Sequence, residues 1–292
     1  MRVSVVVGVD GSRQGLAAAG LAAREASLRG RPLRVVHAFP WTYFHVPLGP
    51  SPEGPPEGGL RHEAERVVAE AVDRARATAP GIEVIGEVLD GFPAPILTAC
   101  SRDAALLVVG DRGIGGFGGL LVGSVAVTLA AHAACPVLVA RGRVDPTQPV
   151  LLAADGSPAC DTAVGFAFEE ASLRDVPLMA LHTWSHPASA SPGDMQPLVY
   201  DEALADAEET RVLAEALAGW HDKYPDVLVH RRVVHARTRR TIIDVTRHTQ
   251  LVVVGARGRG GFAGLLLGSV SQAVLHHAAC PTAIVRHPND DD

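Results

Sequence analysis

Gly110-Asp-Arg-Gly113-Ile-Gly-Gly-Phe-Gly-Gly-Leu-Leu-Val-Gly123-Ser124 is the stretch on which the reading of this chain turns. It follows Ala105-Leu-Leu-Val-Val109, an apolar run of the kind that makes a buried parallel strand. It leads into Val125-Ala-Val-Thr-Leu-Ala-Ala131, which reads as a helix opened by Ser124. A strand, a glycine-rich loop and a fresh helix N-terminus together make an anion site. Glycines let backbone N–H groups turn toward a ligand, and the helix start adds about half a positive charge. Phosphate is the expected occupant.

The stretch occurs twice. Gly255-Ala-Arg-Gly258-Arg-Gly-Gly-Phe-Ala-Gly-Leu-Leu-Leu-Gly268-Ser269 follows Leu251-Val-Val-Val254, and 11 of its 15 positions match the first copy. The offset of 145 residues holds elsewhere. Asp10-Gly-Ser12 maps to Asp155-Gly-Ser157, and Glu25-Ala-Ser-Leu-Arg29 to Glu170-Ala-Ser-Leu-Arg174. His37 maps to His182, and His132-Ala-Ala-Cys-Pro136 to His277-Ala-Ala-Cys-Pro281. The chain is therefore two copies of one domain, expected at 1–141 and 150–287, with a linker at 142–149 and an acidic tail at 288–292. Each copy is of ordinary domain size and long enough to bury its own core.

Composition narrows the function. Hydrophobic residues make up 47% and aromatics only 4%, so the core is aliphatic and rich in alanine. A net charge of −6 argues against nucleic acid as a partner, because phosphate neutralisation needs a basic surface. Four cysteines without a CxxC pattern suggest a reducing compartment, and the apolar run before Asp10 is too short for a signal peptide. A cytoplasmic protein is expected. Leu120 to Ala140 is 21 residues without Asp, Glu, Lys or Arg, but Gly123, His132 and Pro136 interrupt it. A buried helix followed by a buried strand explains it better than a membrane span.

Along the first half, strand and helix alternate. Val3–Val9 is a strand, and Asp10-Gly-Ser12 a turn whose Ser12 or Asp10 caps a helix over Gln14–Arg29. Leu33–Phe39 is the second strand, Pro40–Gly59 a loop, and Leu60–Ala79 a helix. Ile82–Leu89, with charged alternate residues, reads as a strand at a sheet edge. A short helix over Ala94–Ser101 precedes the fourth strand, and Pro136–Ala140 is the fifth. Such alternation implies a parallel sheet with helices on both faces. Ligands of such sheets bind beyond the C-terminal strand ends, where the strand order reverses. Asp10 and the Gly110 loop both lie at such ends.

Two familiar phosphate motifs fail here. Gly113-Ile-Gly-Gly-Phe-Gly118 fits GxGxxG, but not at the first strand, and the copy has Ala263 at the third glycine. Gly118-x4-Gly123-Ser124 resembles a Walker A loop without its lysine. What both copies satisfy is Gly-x2-Gly-x9-Gly-Ser, at 110/113/123/124 and 255/258/268/269. With Val-Gly-Val-Asp-Gly-Ser12, His-Ala-Phe39 and Cys-Pro-Val-Leu-Val139, the chain resembles the universal stress protein family, of the tandem two-domain type. The resemblance covers nearly the whole chain. It implies, in each half, an open five-stranded α/β sheet of order 3-2-1-4-5, Rossmann-like. It also implies ATP, up to two per chain and with Mg2+, and pairing through the last strands, here extended to a homodimer of whole chains.

Carried over position by position, the resemblance implies a first site at Gly8, Asp10, Gly110, Asp111, Arg112, Gly113, Gly115, Gly116, Gly123, Ser124 and Val125. The second is Ala153, Asp155, Gly255, Ala256, Arg257, Gly258, Arg259, Gly260, Gly261, Gly268, Ser269 and Val270. Asp10 and Asp155 fall near ribose and metal-bound phosphates, the glycines and serines at the phosphates. The second half departs at Ala153, for Gly8, and at Ala256, for Asp111. A methyl added at Gly113 or Gly258 is expected to cost left-handed backbone strain as well as phosphate contact.

Plainer readings stand beside these. Asp10 serves as a cap only, or the glycines serve packing only. His132-x-x-Cys135 reads as buried structure rather than a metal site, and His37 and His182 as local hydrogen-bonders. Arg231-Arg232 and Arg237–Arg240 read as solvated charge. Three functions compete: a nucleotide-binding regulator with an unidentified protein partner and no catalytic residues, an ATP-dependent enzyme of related fold, and a nucleotide-free interaction module. An enzyme needs a base, a nucleophile or a phosphate-activating lysine near the crevice. The only lysine, Lys223, is far in sequence from either loop. The regulator is the favoured reading.

Overall fold

The computed structural model describes residues 4–41, 59–113, 122–185, 202–259 and 267–287. The first half runs β1 (Ser4–Gly8), α1 (Arg13–Leu28), β2 (Leu33–Phe39), α2 (Leu60–Thr78), β3 (Val84–Asp90), α3 (Pro93–Cys100), β4 (Ala104–Gly110), α4 (Ser124–His132) and β5 (Val137–Ala140). The second half runs β6 (Val150–Ala153), α5 (Asp161–Arg174), β7 (Leu178–Trp184), α6 (Glu202–Ala216), a short α7 (Trp220–Lys223), β8 (Val229–His235), α8 (Thr238–Val245), β9 (Leu251–Gly255), α9 (Ser269–His277) and β10 (Thr282–Val285).

The ten strands of the described residues form one sheet, in the order β3-β2-β1-β4-β5-β10-β9-β6-β7-β8. Each half has the order 3-2-1-4-5 and is parallel throughout. The halves join where β5 runs antiparallel to β10, with Leu138 opposite Ala283. Side chains alternate across the strands, so one apolar run feeds two cores. Val5 and Val7 face α1 and α2, while Val6 faces α3 and α4. Ala18, Ala19, Ala22, Ala23 and Ala26 of α1 are fully buried, and their small size lets the helix lie close on the sheet. The described residues of the stretch from Leu120 to Ala140 contain α4 and β5. No helix among the described residues is long and apolar enough to cross a membrane.

Some boundaries move. Helix α1 begins at Arg13 because Ser12 is its N-cap, its Oγ accepting from the Gly15 N–H at 3.0 Å. Helix α4 is preceded by Gly123 as N-cap, so Ser124 is its first residue and supplies no side-chain cap. Strand β3 starts at Val84, two residues later than the pattern places it, and lies at the sheet edge as expected.

The two halves are cross-tied by charge. Glu25 and Arg29 on α1 meet Glu170 and Arg174 on α5; the glutamates are buried and the arginine side chains are largely covered. Arg29 bonds both glutamates, and so does Arg174, closing a ring. Burial, with Glu25 alongside, pushes the Glu170 carboxyl up, and the two arginines oppose it. Arg141, after β5, donates to the Leu275 and His276 carbonyls at the end of α9. Arg286, its counterpart after β10, donates to Ala133 O beyond α4 at 3.4 Å. Each half thus places a cation at the negative end of a helix of the other.

Candidate functional site

Strand β1 pairs with β4 and β6 with β9, so the chain turns in opposite directions on either side of each pair. Each half therefore has one crevice at the C-terminal ends of its central strands, where ligands of such sheets bind. In the first half, Asp10 enters it from β1 and the Gly110 loop from β4. The second half brings Asp155 and the Gly255 loop together in the same way.

The two aspartates are held alike. Asp10 Oδ1 accepts from Ser12 N at 3.0 Å and from Ser12 Oγ at 2.6 Å. Asp155 Oδ1 accepts from Ser157 N at 2.9 Å and Ser157 Oγ at 2.7 Å. Left-handed Gly11 (φ 84°) and Gly156 (φ 72°) make these turns. Neighbouring histidines pin the strand ends: His37 Nδ1 lies 2.8 Å from Val9 O, and His182 Nδ1 2.8 Å from Ala154 O. The second carboxylate oxygen of each aspartate then faces the loop. A Cβ on Gly113 would lie 2.5 Å from Asp10 Oδ2, and one on Gly258 would collide with Asp155 Oδ2. In the second half that oxygen also accepts from Arg259 N at 2.7 Å.

Both loops close on themselves through the backbone. Gly123 N donates to Asp111 O at 2.7 Å, and Gly268 N to Ala256 O at 2.8 Å. This bond uses only the backbone carbonyl, so it is made alike by Asp111 and by Ala256. The Asp111 side chain is buried, its carboxylate 3.8 Å from Arg112 Nε, and it lines a groove with Arg13, Arg24 and Arg141 on the α1 face. The change from Gly8 to Ala153 is also a packing matter. A Cβ on Gly8 would lie 2.5 Å from Leu97 Cδ1, and the second half has Ile242 in place of Leu97.

The second crevice encloses a cavity of about 560 Å³, within the usual range for small-molecule sites. Ala153, Asp155, Gly255, Arg257, Gly258, Arg259, Gly268, Ser269 and Val270 line it. Other lining residues were not anticipated: His182, Trp184, Glu209, Thr238 and Ile242. Trp184 stacks on His235 at 4.2 Å and donates to Asp206 Oδ1 on α6. Helix α6 matches α2 too weakly in sequence to signal its place in the site. Cys160 also lines the cavity, and burial pushes its thiol up to about 12, which disfavours the thiolate.

In the first half Gly113 lies against Asp10, Gly8 and Gly110 end β1 and β4, and Gly123 precedes α4, with exposed Ser124 opening that helix and Val125 half-buried. Gly115, Gly116, Gly260 and Gly261 lie outside the described residues. One expectation is overturned: Gly113 and Gly258 are not left-handed, so their constraint is steric contact with the aspartates. Gly110 is constrained by α1, since a Cβ there would lie 2.9 Å from the Gln14 carbonyl carbon. No group of three or more His, Cys, Asp or Glu among the described residues is arranged for a metal. His132 Nδ1 instead lies 2.9 Å from Thr128 O.

Comparison with known proteins agrees with this architecture. The universal stress protein family model matches twice, over residues 1–141 and 146–286. A universal stress protein of Mycolicibacterium smegmatis is 40% identical over 97% of this chain and 96% of its own. One from Mycobacterium tuberculosis is 38% identical over 99% of this chain and 96% of its own. Among solved structures, a universal stress protein from Archaeoglobus fulgidus superposes with a TM-score of 0.66 at 17% identity, covering 97% of this chain and 98% of that one. That last likeness is one of fold.

Proposed function

We propose that this chain, which belongs to the universal stress protein family, is an ATP-binding regulator of the stress response, with nucleotide occupancy setting its conformation or its choice of partner. Each half takes one ATP with Mg2+, so a chain holds up to two. The observation that carries this reading is the doubled crevice. In both halves an anchored aspartate turns one oxygen to a glycine with no room for a methyl group, beside a loop that ends at a helix N-terminus.

The residues fit the ligand. Gly113 and Ser124, and Gly258 and Ser269, would turn backbone N–H groups and the α4 and α9 N-termini to phosphate, while the Gly123 and Gly268 N–H groups close their loops. Arg112 and Arg257 add charge. Asp10 and Asp155 take the ribose and the metal-bound phosphate side. Bound Mg2+ would offset phosphate charge beside those carboxylates. The enzymatic alternative has less support: Lys223 lies 5.0 Å over the Trp220 ring and is not among the residues that line the second crevice, and Cys160 is a buried thiol. Residues 1–141 and 150–287 are proposed as the two domains, joined by 142–149, in a cytoplasmic homodimer that acts through a further protein.

Mass spectrometry of small molecules released on denaturing the purified protein tests this directly. ATP or ADP is expected at up to two per chain. Protein that carries no nucleotide and takes up none in a calorimetric titration with magnesium ATP would overturn the reading.

A further inference from the structure

The second crevice holds a charged relay whose ion-pair residues the first half does not repeat in sequence. Glu209 on α6 places Oε2 2.7 Å from His182 Nε2 and 3.7 Å from Arg259 Nη1. Arg259 is anchored at its other end, where its backbone N–H donates to Asp155 Oδ2 at 2.7 Å. Its guanidinium lies over Gly156, so close that a Cβ there would be 2.6 Å from Nη2. The arginine therefore spans the crevice from the glycine loop to α6, across the aspartate. At the offset of 145, the first half keeps His37 but has Ala64 for Glu209 and Ile114 for Arg259. Both members of the ion pair are thus peculiar to one site.

The geometry points to Arg259 as a latch on the second site, held by Glu209 when nucleotide is away and transferred to a phosphate oxygen when it enters. This rests on the proposed nucleotide binding and says how the two sites differ. An arginine fork prefers phosphate, which it can meet with two hydrogen bonds, over a carboxylate set 3.7 Å away and shared with a histidine. The transfer parts the loop from α6, so occupancy of the second site is felt on the outer helix, whereas the first half has Ala64 and Ile114 where this pair would stand. The latch also makes the second site sensitive to phosphate charge: a nucleoside without phosphate offers Arg259 nothing in exchange for Glu209.

Calorimetric titration of the full chain with magnesium ATP and, separately, with adenosine tests this. Glu209→Gln keeps a hydrogen-bonding partner for His182 but removes the charge that retains Arg259. It should tighten ATP at the second site by about fivefold, leave the first site unchanged, and leave adenosine unchanged. Adding Arg259→Ile, the first-half residue, should erase the gain. The latch is overturned if Glu209→Gln leaves two-site ATP binding as it was, or if it tightens adenosine as much as ATP, which would mean only a widened cavity. If the unaltered chain binds no ATP at either site, the nucleotide reading itself has failed and the latch falls with it.

Discussion

The glycines of the loop do different jobs, and this changes which substitution tests the phosphate cradle. At Gly113 and Gly258 an added methyl meets Asp10 or Asp155, so alanine displaces the aspartate before any ligand arrives. At Gly110 it meets α1, and folding suffers. At Gly123 and Gly268 the nearest atoms stand 3.6 and 3.4 Å away, and the backbone (φ −72°, ψ 148° and φ −67°, ψ 157°) suits any residue. Alanine there is harmless to the fold, and only a ligand pressed against the Cα would notice it. Gly123→Ala with Gly268→Ala should therefore keep the unfolding midpoint and the circular dichroism spectrum while weakening ATP by about tenfold, or 1.4 kcal/mol. Normal ATP binding by this pair would remove phosphate from that place. The cysteines give a second expectation at this scale. Burial holds Cys135 and Cys160 up to about 12 and Cys280 up to about 11. Iodoacetamide at pH 8 should modify all three far more slowly in native than in unfolded protein, by mass spectrometry, because thiolate is the reactive form.

At the level of elements, the two turns at Asp10 and Asp155 look alike but start their helices differently. Ser12 caps α1, whereas Ser157 leads into a short 3₁₀ turn at Pro158–Cys160 before α5 begins at Asp161. Ser12→Ala should then cost about 1 kcal/mol in denaturant unfolding and Ser157→Ala less, since only the first removes a helix cap. Equal losses would mean that the hydroxyl bonds to the aspartates matter more than the cap. Strand and helix order was legible in the sequence because apolar runs, the Asp-Gly-Ser turns and the proline and glycine stops all recur at one offset. The strand order came with the family resemblance, and the pairing register confirms it. Glu209 and Trp184 were not legible, because a helix that lines a crevice through two side chains has no spacing of its own to announce it. The latch pair hid for the same reason: Arg259 reads as one more loop residue until α6 is folded beside it.

For the whole molecule, β5 and β10 consume each other's edges, so a dimer of whole chains must use another surface. The edges left are β3, with Glu87 and Asp90, and β8, with Arg231 and Arg232. A two-fold dimer through either edge would set like charges together, which leaves the helical faces for the proposed homodimer. Light scattering at micromolar concentration should give twice the chain mass, and a single-chain mass would reject it. What fixes the two halves on each other is a separate question, and the ring of Glu25, Arg29, Glu170 and Arg174 sits where they meet. Taking four charges out of water is costly, and their mutual attraction only roughly repays it. The ring is therefore expected to specify how the halves pair more than to stabilise the pairing. Removing one member leaves its partners buried and uncompensated, so Glu170→Ala should cost about 3–5 kcal/mol in denaturant unfolding. Replacing all four with Met and Leu of similar volume should restore most of that loss, since no charge is then stranded. If the apolar quartet is as unstable as the single variant, the ring contributes net stability and its role is not one of specification. If Glu170→Ala costs less than about 1 kcal/mol, as exposed pairs do, water reaches the ring and the halves are less tightly joined than the buried side chains imply.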